Sequence, residues 1–84
     1  MARGKMARTI NLLKRNGFTT TQYSDITGGF VFEKDNQKYL IQGIFNGDKI
    51  IGKEIRHFYS WRVICREYTE RELIEQIKSK ILKE

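Results

Sequence analysis

Met6, Ile10 and Leu13 recur at i, i+4 and i+7 with Leu12 alongside, and the positions between them are polar or small. This spacing predicts an amphipathic helix over roughly residues 5–16. Asn16-Gly17 is a stop signal, since glycine takes the left-handed conformation after a helix and Phe18 can fold back as the apolar residue behind it. Thr19, Thr20, Thr21 and Tyr23 favour a strand through β-branching and aromatic bulk, and Gly28-Gly29 breaks it. Phe30–Glu33 and Tyr39–Gln42 read as two strands joined by a hairpin turn at Asp35-Asn36-Gln37. Their apolar positions run continuously instead of alternating, which predicts a sheet covered on both faces, with helices packed on it.

After a second turn signal at Phe45-Asn46-Gly47-Asp48, apolar residues return at Ile51, Ile55 and Phe58/Tyr59. That spacing predicts a helix with Lys53, Arg56, His57 and Ser60 elsewhere on its surface. Trp61–Cys65 has the composition of a short last strand. Thr69-Glu70-Arg71-Glu72 is a capping box, opening a final helix whose buried stripe is Leu73, Ile74, Ile77 and Ile81. Acids sit in its first turn and Lys78, Lys80 and Lys83 near its end, as the helix dipole favours. The expected order is α-β-β-β-α-β-α: an α/β (α+β) chain with a small mixed sheet flanked by helices.

Eighty-four residues hold one domain, spanning 1–84, and 39% hydrophobic content is enough for one core. No stretch approaches the roughly 18 consecutive apolar residues of a membrane span. Cys65 and His57 are each alone of their kind, so no disulfide, structural metal or cofactor is expected. With no apolar segment behind its basic start, the chain is expected in the cytoplasm.

Charge adds more through its placement than its total of +6. Residues 1–24 contain five bases, Arg3, Lys5, Arg8, Lys14 and Arg15, and no acid, whereas the remainder holds eleven bases against ten acids. A local excess of this kind suits phosphate, because neutralising it releases condensed counterions. Lys49, Lys53, Arg56 and Arg62, interleaved with His57, Phe58, Tyr59 and Trp61, form a second group in which bases and aromatics mix. His57 reads as a surface residue, Cys65 as a small buried hydrophobe, and Gly28-Gly29 as a turn outside any phosphate-loop motif.

One longer pattern adds to this. A helix ending Leu-Leu-Lys-Arg-Asn-Gly-Phe leads to a Gly-Gly turn, then Phe-Val-Phe-Glu-Lys-Asp-Asn-Gln-Lys-Tyr-Leu-Ile-Gln, then Ile-Gly-Lys-Glu-Ile-Arg-His-Phe-Tyr. In order and spacing, residues 7–59 resemble the core of Mrr-like restriction endonucleases, within the PD-(D/E)xK nuclease superfamily. The resemblance implies a restriction-endonuclease-like fold in which 51–59 is helical. It aligns the metal-binding Asp with Gly29 and the catalytic Lys with Ile44, leaving only Gln42 in a matching position. Neither Gly29 nor Ile44 can hold a hard cation or activate water, so a scaffold without catalytic residues is implied.

The sequence therefore leads to a nucleic-acid-binding protein, DNA ahead of RNA, that contacts phosphates through Arg3, Lys5, Arg8, Lys14, Arg15, Lys49, Lys53, Arg56 and Arg62. The alternatives are a small interaction module or inhibitor of phage or mobile-element origin that meets an acidic protein surface, and a metal-dependent nuclease with relocated residues. A homodimer is compatible with each. A helix–three-strand–helix fold of the double-stranded-RNA-binding type would need bases where Glu70, Arg71 and Glu72 stand.

Overall fold

The first helix closes with two backbone hydrogen bonds that make its C-terminus a Schellman motif. Phe18 N–H donates to the Leu13 carbonyl (3.0 Å) and Gly17 N–H to that of Lys14 (3.1 Å), with Gly17 at φ +89°. In this computed structural model, which describes residues 6–24 and 28–83, that helix is α1 (Ala7–Arg15). It is followed by β1 (Thr19–Ser24), β2 (Gly29–Lys34), β3 (Gln37–Asn46), β4 (Lys49–His57) and β5 (Val63–Glu67). Helix α2 (Glu70–Gln76) then continues as a π-helix over Ile77–Leu82. Arg3, Lys5 and Asp25 lie outside the described residues.

The strands form one five-stranded sheet in sequence order, every neighbouring pair antiparallel. Three of the links lie wholly within the described residues, and each is a hairpin. Asp35-Asn36 and Gly47-Asp48 are two-residue turns, with Asp35 (φ +56°) and Gly47 (φ +65°) supplying the left-handed residue each requires. Phe58–Trp61 is a four-residue loop closed by His57 N–H to the Arg62 carbonyl (2.9 Å), with Trp61 at φ +63°.

Registered neighbours define the core. Phe30 pairs with Ile41, Phe32 with Tyr39, Ile41 with Ile55 and Ile55 with Cys65, so all of these share one sheet face. Against that face pack Leu12 and Leu13 of α1 and Leu73, Ile77 and Ile81 of the last helix. Phe32 and Tyr39 stack at 5.1 Å, and Phe18 meets Phe32 edge-on at 5.4 Å. The helices are also tied by a carboxylate. Met6, at the N-cap of α1, makes no side-chain cap; instead Thr9 donates to Glu70 Oε2 through its backbone N–H (3.0 Å) and its hydroxyl (2.9 Å). That places a negative charge at the positive end of α1.

Three expectations need correction. Residues 51–59 are not helical: 51–57 belong to β4 and 58–59 to the following loop. A spacing of four is a helical period, but it is also an even number, so Ile51 and Ile55 satisfy a strand equally well. The Gly47-Asp48 turn decides between them by returning the chain directly along β3. The element order is therefore α-β-β-β-β-β-α, and the sheet is antiparallel instead of mixed. Nor do helices flank the sheet, since both contribute to the same core cluster on one face. Val31 and Leu40, paired across β2 and β3, are buried on the other face, outside the cluster that the two described helices join.

Candidate functional site

Arg8, Asn11 and Arg15 lie on one stripe of α1, three and four residues apart, beside the buried Leu12. Lys78 approaches from the π-helical segment, and together with Ile74 these residues line a groove of about 360 Å³ between the two helices. Among the described residues its lining contains three cations, one amide and no carboxylate. Arg8, Arg15 and Lys78 have no ion pair or hydrogen bond to another side chain among the described residues. The π-helix carries its wider spacing to the end, Lys83 N–H donating to the Lys78 carbonyl five residues back. Lys14 is exposed beside the groove on the solvent side of α1.

The second basic group is not gathered in one place. Lys49 opens β4 and Arg62 follows the loop beyond its far end, with about 26 Å of strand between Lys49 and His57. Lys53 is half-buried between them. Arg56 is committed to the protein: its Nε donates to Glu54 Oε1 (2.8 Å), its Nη1 donates to the Trp61 carbonyl (2.6 Å), and its guanidinium lies 5.9 Å from the Trp61 ring.

Glu54 is the feature that sequence reasoning missed. It is buried on the face opposite the two described helices and accepts from Arg56 and from Gln42 Nε2 (3.1 Å), with Arg66 Nε 3.4 Å from its other oxygen. Burial pushes its carboxyl pKa up, but the hydrogen bonds from Arg56 and Gln42 and the charges of Arg56 and Arg66 outweigh this and hold it below the usual carboxylate value. Strand alternation would have put Gln42, Glu54, Arg56 and Arg66 on one face, had β4 been read as a strand.

Of the positions aligned with nuclease chemistry, Gly29 and Ile44 are both buried, while Gln42 is spent on Glu54. Among the described residues no three of His, Cys, Asp or Glu converge as a metal site. Cys65 is buried in the core, where desolvation, with the Glu67 charge second, pushes its thiol up to about 11 despite Lys80 and a backbone hydrogen bond to Ile55. Such a thiol is a packing residue. Among the described residues no helix is long and apolar enough to cross a membrane. Comparison with known proteins found no matching family model, curated sequence or solved structure.

Proposed function

We propose that the protein binds nucleic acid through its helical layer, receiving backbone phosphates in the groove between α1 and α2. The observation that carries this reading is the groove's lining: Arg8, Arg15 and Lys78 converge there with Asn11 and, among the described residues, no carboxylate. Three uncompensated cations on two helices repel one another, and an anion bridging them relieves that repulsion. Arginine suits the role because its planar fork meets two phosphate oxygens at once, while Lys78 acts as a point charge. Asn11 adds a neutral donor, and exposed Lys14 extends the charge along the helix. Contacts of this kind position a backbone and read no bases, so binding is weak in sequence preference and steep in salt dependence. This reading draws on surface chemistry alone and takes nothing from the nuclease resemblance, much of which lay in the segment that forms β4.

Charge reversal tests it. Arg8→Glu with Arg15→Glu, both at exposed positions, should weaken binding to every duplex by a similar factor at low salt while circular dichroism stays unchanged. An unaltered affinity would remove the groove from the account.

A further inference from the structure

We infer that the Phe58–Trp61 loop is a second site, one that takes an unpaired nucleobase, so that the preferred ligand carries a single-stranded end beside duplex. The inference rests on the phosphate-binding reading of the helical groove and assigns that ligand its class. Tyr59 is 81% exposed, more than any other large hydrophobic side chain among the described residues, yet the backbone on either side of it is hydrogen-bonded. Phe58 N–H donates to the Lys38 carbonyl (3.0 Å), Trp61 N–H to that of His57 (2.9 Å), and Arg56 grips the Trp61 carbonyl from below. Phe58 meets Tyr59 edge-on at 5.3 Å and Trp61 at 6.2 Å, so the three rings form one cluster. An exposed ring on a fixed backbone is a stacking platform, with little left to order when a base arrives.

The surroundings favour a base over an apolar partner. Beside Tyr59 is a cavity of about 300 Å³ that includes Asn36, Lys38, His57 and Ser60 in its lining and, among the described residues, no carboxylate. Lys38 Nζ stands 4.3 Å from the Phe58 ring centre and 5.8 Å from that of Tyr59, where it can meet the phosphate attached to a stacked base. The Asn36 amide offers a donor and an acceptor, as the edge of a base requires. The loop also lies at the same end of the sheet as the C-terminus of α1. Lys34, closing β2, donates to the Asn16 carbonyl at 2.8 Å, and the Asp35-Asn36 turn then leads directly to Gln37 and Lys38. A strand leaving the groove past Arg15 therefore meets Lys34 and Lys38 before reaching the rings.

The test compares a blunt DNA duplex with the same duplex bearing five unpaired thymines at each 3′ or each 5′ end, by fluorescence anisotropy. The overhang should tighten binding by about tenfold, within what base–aromatic stacking supplies. Tyr59→Ala should abolish that preference and leave blunt-duplex affinity unchanged, while Tyr59→Phe should retain it. Equal affinity of the unaltered protein for blunt and overhanging duplexes, or a preference that survives Tyr59→Ala, overturns the inference and leaves the groove standing. If neither duplex binds, the groove reading fails and this inference fails with it.

Discussion

Two titratable residues show how position sets chemistry within this chain. The Glu54 carboxylate is held below its ordinary pKa, so its stabilising contribution is present above the unfolded-state value and disappears as pH falls through the lower, folded one. Glu54→Gln leaves Arg56 and Arg66 without their carboxylate and should cost about 2 kcal/mol at pH 7, moderated because both arginines are partly exposed. Urea denaturation of the two proteins should show that gap closing below about pH 4; a gap constant with pH would mean Glu54 is uncharged in the folded state. Cys65 runs the other way. Its folded pKa of about 11 lies above the ordinary 9.0, so its contribution is intact below the ordinary value and is lost as pH rises through the folded one. Stability should therefore decline more between those values than it does in Cys65→Ala, and thiol reagents at pH 8 should react only as fast as the protein opens.

At the scale of elements, Gly52 distinguishes strand from helix at β4. A Cβ added there would lie 2.5 Å from the Glu67 carbonyl oxygen and 3.0 Å from the Tyr68 ring, because β5 passes alongside. Gly52→Ala should destabilise the protein by more than 1 kcal/mol in chemical denaturation, whereas in a helix the same change would stabilise it by about 1 kcal/mol. The final helix offers two further checks. Thr69 Oγ1 accepts from Glu72 N–H at 3.1 Å, so Thr69→Ala should cost about 1 kcal/mol, and Ile77→Ala, fully buried, roughly 2–4 kcal/mol. Much of this was legible in the chain. The stop at Asn16-Gly17, the turn at Asp35-Asn36, the cap at Thr69 and the stripe through Leu73, Ile77 and Ile81 are local signals, each fixed by a few adjacent residues. The β4 strand was not, because its apolar spacing fits both periods and only pairing with β3 separates them. In the sequence Glu70 belongs to the capping box of α2; that it caps α1 depends on a contact spanning 61 residues, which no local pattern encodes.

Across the whole molecule, the basic excess of the first residues is legible as composition, but its form as a site is not. Arg8 and Arg15 could be placed on an exposed stripe of α1 from sequence; Lys78 joins them only because α2 packs beside α1 and its last turns widen into a π-helix. Lys49 and Arg62, grouped in the sequence, are separated by the length of β4, and Arg56 is drawn away by Glu54. One sheet face thus holds the core and the helices, and the helices hold the charge, with the aromatic loop at one end. The salt dependence of duplex binding tests this arrangement most directly. With Arg8, Arg15 and Lys78 as the phosphate contacts, log K against log salt should fall with a slope of about −3, and replacing any one of them by Ala should reduce its magnitude by about 1. No binding at low salt, or a slope that none of the three substitutions changes, would contradict the account.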